Sequence, residues 1–264
     1  MKSKKPIIIE LIGAAGSGKT TLSQRLCKQE YAGFSSLSLD HASILALVHN
    51  KNLLFIKIVS VFIYNIPLFF WRFLLFRKLY TIYRKSLLKE NETVVLESLD
   101  TFLQTVCSLK IKTEDEKLRL TERTKDSILK EIIVSKYLDN TIVFADEHIC
   151  QKYLSGNFDP VKLKYKSPKN DFVKYRRPDA VIVMIGNPEI CANRINLRSS
   201  KRNISMHKYN SNEIKHIIHS TNIFSTEFAQ ILSDEEVPVL IIKNSITDIK
   251  QINSFIKKLI IYSK

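Results

Sequence analysis

A chain of 264 residues, 45% of them hydrophobic, has ample material for the core of one globular domain with an elaboration, or of two small domains. Its 41 Lys and Arg against 26 Asp and Glu leave a net charge of +15, which favours an anionic partner: nucleotide, nucleic acid or acidic membrane surface. Part of that basicity belongs to a chain-wide richness in Lys, Ile and Asn. Four widely spaced cysteines (Cys27, Cys107, Cys150, Cys191) form no C-x-x-C pair, so they argue against a zinc site or disulfide framework and predict buried, reduced thiols. The start Met1-Lys2-Ser3-Lys4-Lys5-Pro6 runs straight into an apolar stretch and leaves no room for a signal peptide, so a cytoplasmic protein is expected.

The first predicted strand is Ile7 to Ile12. Directly after it comes Gly13-Ala14-Ala15-Gly16-Ser17-Gly18-Lys19-Thr20, which fits G-x-x-x-x-G-K-[ST] without a mismatch; Thr21 to Leu26 then continue in helical register. Three of the six glycines fall in these eight residues. They let the backbone curl so that successive N–H groups converge on a phosphate, and the following helix adds the positive end of its dipole. Nucleotide binding is therefore expected at Gly13, Ala14, Ala15, Gly16, Ser17, Gly18, Lys19, Thr20 and Thr21. Lys19 is expected to reach the β/γ-phosphates and the Thr20 hydroxyl to ligate Mg²⁺.

A second strand is predicted at 35–39, ending at Asp40. That position suits either a base acting on an acceptor hydroxyl or the N-cap of the next helix. Then follows a segment, His41 to Lys89, without a single Asp or Glu. Its uncharged run Ile58–Trp71 has 14 residues, short of the ~20 of a spanning helix, and contains Asn65 and Pro67. A helical insertion packed on the core and a basic-flanked surface docking on anionic lipid both fit the segment better than a span.

Thr113-Glu114-Asp115-Glu116 fits a capping box ahead of a long helix to about Leu138. The strand Thr141–Ala145 closes on Asp146-Glu147, a Walker B arrangement in which Asp146 holds Mg²⁺ and Glu147 orients a nucleophile or binds substrate. His41 and His148 read as structural. Residues 155–177, with Pro160, Pro168 and many lysines, read as a long surface loop. A strand at 180–185 leads to Asn187-Pro188-Glu189, a cap with proline at the first helical position. On the helix that follows, Arg194 and Arg198 share a face, with Lys201 and Arg202 just beyond; they are candidates to clamp a transferring phosphoryl group. The last strand is predicted at 237–242, and Asp248 to Gln251 cap a final helix. Strands alternating with helices predict a parallel α/β sheet covered on both faces.

The Gly13–Thr20 loop, Asp146-Glu147, and the stretch from Pro178 to Arg198 (P-D-x-x-I, N-P-E, R-I-x-x-R) resemble P-loop small-molecule kinases of the thymidylate kinase and nucleoside/nucleotide kinase type. The likeness covers about 1–40 and 139–262. It implies five parallel strands in the order 2-3-1-4-5 flanked by helices, a helical insertion at 41–138, a lid at about 198–212, and a loop near adenine around Asn244-Ser245. The chain departs from that pattern in carrying Asp146-Glu147 where such kinases have Asp-Arg or Glu-Arg-Ser. On this reading one kinase-like domain spans 1–264 and transfers phosphate from ATP, with Mg²⁺, to an anionic or amphiphilic small acceptor. Lys19, Asp40, Glu147, Arg194 and Arg198 would be the catalytic residues. A nucleotide-gated ATPase switch, with Glu147 polarising water, is the first rival; a polynucleotide 5′-kinase is the second.

Overall fold

The computed structural model describes residues 4–49, 88–106, 113–159, 161–165, 168, 178–197, 206, 209–243 and 249–262. Five strands form one parallel sheet: β1 (Ile7–Gly13), β2 (Ser35–Ser38), β3 (Thr141–Asp146), β6 (Ala180–Ile185) and β7 (Val239–Lys243), in the order β2-β3-β1-β6-β7. With its strands counted in chain order this is 2-3-1-4-5, the order expected. The helices are α1 (Lys19–Leu26), α2 (Leu39–His49), α3 (Glu92–Val106), α4 (Glu114–Tyr137), α5 (Ile149–Gly156), α6 (Pro188–Leu197), α7 (Ser211–Asp234) and α8 (Ile249–Tyr262).

The period-two alternation of β1 sorts its side chains between two cores. Ile7, Ile9 and Leu11 join Leu22 and Leu26 of α1 and Ile252 and Ile256 of α8 on one face. Ile8 and Ile12 face α2 to α5 and α7 on the other, with Val143, Val181, Ile128 and Phe228. Burial on both faces is why the strands read as unbroken apolar runs. Glu10 interrupts that run. It points to the second face between Ile8 and Ile12 and is only 3% exposed.

Local signals set several boundaries as expected. Thr113 and Glu116 close a reciprocal capping box on α4, and Asn187 Oδ1 accepts the N–H groups of Glu189 and Ile190 at 2.9 and 3.2 Å. Other boundaries differ. β2 ends at Ser38, because the chain turns into α2 at Leu39, with Ser38 Oγ facing the His41 N–H at 3.4 Å. Asp40 therefore lies in the first turn of α2 and is not its cap. The stretch expected to be loop from 155 contains the end of α5 and an antiparallel hairpin, β4 (Phe158–Asp159) with β5 (Lys164–Tyr165). Asp159 Oδ1 closes its turn by accepting the N–H groups of Val161 and Lys162. Phe158 packs on Tyr165, whose ring lies 5.4 Å from that of Phe224; these aromatic contacts tie the hairpin to α7. Cys27, Cys150 and Cys191 are free thiols, the last two buried.

Most of the acid-free segment, Arg198, Lys201 and Arg202, the Asn244-Ser245 loop and most of the expected lid lie outside the described residues. Among the described residues no helix is long and apolar enough to cross a membrane.

Candidate active site

In a parallel sheet the carboxyl ends of all strands fall on one edge, and ligands bind there. At that edge β1 runs into the Gly13–Thr20 loop. The loop closes tightly against its surroundings: a Cβ on Gly13 (φ +144) would stand 2.3 Å from the Met184 carbonyl oxygen, and one on Gly16 (φ +78) 2.6 Å from that of Cys191. Both positions combine positive φ with a backbone neighbour, so glycine is a steric requirement at each. Lys19 donates from Nζ to the carbonyls of Gly13 at 2.7 Å and Ala14 at 2.9 Å, lying back along the loop. Arg194, from α6, donates to the Gly16 carbonyl at 3.1 Å. The fold thus sets Arg194 against the Gly13–Thr20 loop.

The register Leu11↔Asp146 sets the end of β3 beside the loop. Asp146 Oδ2 accepts a 2.6 Å hydrogen bond from Thr20 Oγ1, although 126 residues separate them. Among the described residues its buried Oδ1 has no hydrogen-bond partner, and neither has the buried Ser17 Oγ. A hydroxyl and a carboxylate converging at the mouth of a phosphate loop, with one carboxylate oxygen unsatisfied, are hard oxygen donors suited to Mg²⁺ shared with phosphate oxygens. Among the described residues no cluster of three or more His, Cys, Asp or Glu forms a dedicated metal cage. Magnesium bound jointly by protein and nucleotide needs none.

Beyond Asp146 the chain makes a turn that only the structure reveals. Glu147 is exposed and holds φ +58, a left-handed conformation uncommon for a residue with a side chain. His148 follows, its side chain fully buried, with Nε2 3.1 Å from Glu131 Oε2 of α4; this fits the structural reading. The exposed carboxylate of Asp40 pairs with Lys130 Nζ at 2.8 Å, and Lys130 pairs equally with Asp126. Burial pulls the Lys130 ammonium down, but the facing carboxylates of Asp40 and Asp126 outweigh it and hold it above the ordinary lysine value.

Four residues of this edge went unnoticed in the sequence. Glu10 accepts the Cys150 N–H at 2.8 Å and so caps α5 from inside the sheet, where His148 supplies no side-chain cap. Burial pushes its carboxyl up, opposed by His148 and by the Cys150 N–H, with Glu131 adding to the rise. Gln151 accepts the Gly13 N–H at 3.1 Å. Lys130 and Lys152 complete the set. Only Glu10 left a local signal, as the one charge inside an apolar strand. The others depend on α4 and α5 meeting β1, α2 and the turn after β3.

No protein-family model and no curated protein matches the chain. Among solved structures it is similar to deoxyadenosine kinase from M. mycoides with bound dATP, at 14% identity and TM-score 0.41, covering 95% of this chain and 98% of that one. The same enzyme with bound dCTP matches at 15% identity and TM-score 0.41, over 96% and 98%. The α/β P-loop architecture assigned here rests on strand order, register and the loop itself.

Proposed function

We propose that the protein is an ATP- and Mg²⁺-dependent phosphotransferase of the P-loop kinase type, moving a phosphoryl group to a hydroxyl of a small acceptor. The observation that carries this reading is the Thr20–Asp146 contact at the mouth of the Gly13–Thr20 loop, with an unsatisfied Asp146 oxygen beside it. Loop N–H groups and the start of α1 would bind the β/γ-phosphates, and Lys19 would leave its two carbonyls to pair with them. Thr20 and Asp146 would hold Mg²⁺, which supplies charge neutralisation on the phosphate oxygens. Arg194 already lies against the loop and would pair with the transferring group. The acceptor would sit at the ends of β2 and β3, its hydroxyl proton passing to Asp40 or Glu147 as the new O–P bond forms and ADP leaves.

An anionic or amphiphilic acceptor is favoured by the basic residues between Lys51 and Lys89. We also propose a cytoplasmic location, and the same residues favour contact with anionic membrane through 41–89. Sedimentation with anionic but not neutral vesicles is expected, and charge reversal at Arg77, Lys78, Arg84 and Lys85 weakens it if the segment does dock.

The exposed Glu147 directly after Asp146 favours a second reading, a nucleotide-gated ATPase in which Glu147 polarises water. One assay separates the two: ADP release from Mg-ATP with and without pooled hydroxylic acceptors, alongside Lys19→Ala. Acceptor-dependent release supports the kinase. Equal release without acceptor, lost in Glu147→Gln, supports the switch.

A further inference from the structure

Lys152 is the fourth residue of α5, and nothing in the helix explains its presence. A cation in the first turn opposes the helix dipole, and lysine ordinarily keeps its ammonium in water. Here Nζ is drawn inward, donating to the Glu147 carbonyl at 2.8 Å and to Ser127 Oγ of α4. Burial pulls the ammonium down to about 8, and Lys130 pulls in the same direction. Glu10, Asp126 and Glu147 oppose the fall. Among the described residues these four are the charged groups that act on it, from β1, α4 and the turn after β3.

The carbonyl Lys152 takes belongs to the residue with left-handed backbone, which needs support from its surroundings to persist. Its neighbour Gln151 takes the N–H of Gly13. Two successive α5 side chains thus tie down the first residue of the phosphate loop and the turn after Asp146. We propose, building on the kinase reading, that Lys152 is a positioning residue: its ammonium pins the Glu147 peptide, fixing the main chain that presents Asp146 and Glu147 to the reacting groups.

A lysine that merely fills space would be replaced by methionine without kinetic consequence. The test uses the full chain, wild type, Lys152→Met and Ser127→Ala. It measures acceptor-dependent ADP formation from pH 6.5 to 9.5, thermal unfolding, and amide hydrogen exchange over 144–150. Lys152→Met is expected to lower kcat about 10- to 100-fold, leave KM for Mg-ATP within about twofold, and speed exchange in the turn. Its melting temperature is expected to stay within a few degrees of wild type, because relief of the buried charge offsets the two hydrogen bonds lost. Wild-type kcat should decline above about pH 8, a limb absent in Lys152→Met. In Ser127→Ala that limb should move to lower pH, because the ammonium loses an acceptor.

Unchanged kcat in a folded Lys152→Met, or an alkaline limb the same in all three proteins, overturns the proposal. If Lys152→Met does not fold, the Ser127→Ala limb decides: a shift supports the pin and no shift overturns it. If the wild type forms no ADP with any acceptor, the kinase reading has failed instead. Exchange then decides, faster in Lys152→Met supporting the pin and unchanged overturning it.

Discussion

On the proposed function, the nucleotide side and the acceptor side of this sheet edge are built differently. The nucleotide side is an uninterrupted run of eight residues, Gly13 to Thr20, whose shape comes from glycine backbone pressed against the Met184 and Cys191 carbonyls. The proposed acceptor side is assembled from β1, α2, α4, α5 and the turn after β3, joined by Glu10, Asp40, Lys130, Glu147 and Lys152 through contacts spanning up to 140 residues. A phosphate is the same ligand in every nucleotide, so a local loop suffices to hold it. Acceptors differ from one kinase to another, and on this proposal their recognition is left to side chains that the tertiary fold gathers.

The contrast predicts that the nucleotide side fails outright under small changes, while the acceptor side yields by degrees. The largest effect is expected from Gly13→Ala, where both the φ of +144 and the 2.3 Å approach to Met184 forbid a methyl; a loss of about 3–5 kcal/mol in chemical denaturation is expected. Next, Lys19→Ala should fold normally yet reduce ATP turnover by about 100- to 1000-fold. A Lys19→Ala protein with near-normal turnover would break the assignment of this loop to catalysis.

On the other side, Glu10→Ala removes the internal cap of α5 and leaves a cavity, at a cost of about 2–3 kcal/mol. Glu10→Gln keeps an acceptor oxygen for the Cys150 N–H and should lie within about 1 kcal/mol of wild type at neutral pH. The sign of the pH dependence follows from the raised Glu10 carboxyl. Below the ordinary carboxyl range the group is protonated in both folded and unfolded chains. As pH rises through its folded value the burial penalty on the carboxylate appears, so wild type loses stability there relative to Glu10→Gln. Urea titrations of both proteins between pH 4 and 8 would show the gap widening, and a constant gap would show that Glu10 is not buried as described.

The smallest effect concerns Lys152, whose folded value of about 8 lies below the ordinary lysine value of 10.5. Its penalty is fully present below pH 8 and is relieved between 8 and 10.5, so its contribution to stability improves with pH while turnover is expected to fall. Opposite slopes in melting temperature and kcat from pH 7.5 to 9 would sharpen the contrast between fold and function at one residue.

The sequence by itself determined the glycine loop after the first strand, the strand closing on Asp146, the capped starts of α4 and α6, and a parallel sheet buried on both faces. Each of these depends on residues adjacent in the chain or a helical turn apart, so spacing alone carries it. It also marked Asp40, but offered base and helix cap equally; the fold decided against the cap by starting α2 at Leu39, ahead of Asp40, and setting Lys130 against the carboxylate. Residues 155–177 were illegible for a similar reason. Their short hairpin is held by Phe224 and Ser220 of α7, which no local pattern announces. Glu10 could be seen as an odd charge, but its partner is an amide 140 residues away. Lys152 reads as any surface lysine until α4 and the turn after β3 close around it. Backbone shape and amphipathic period are written locally. Which charges are taken out of water, and whom they then face, is decided only when distant elements pack.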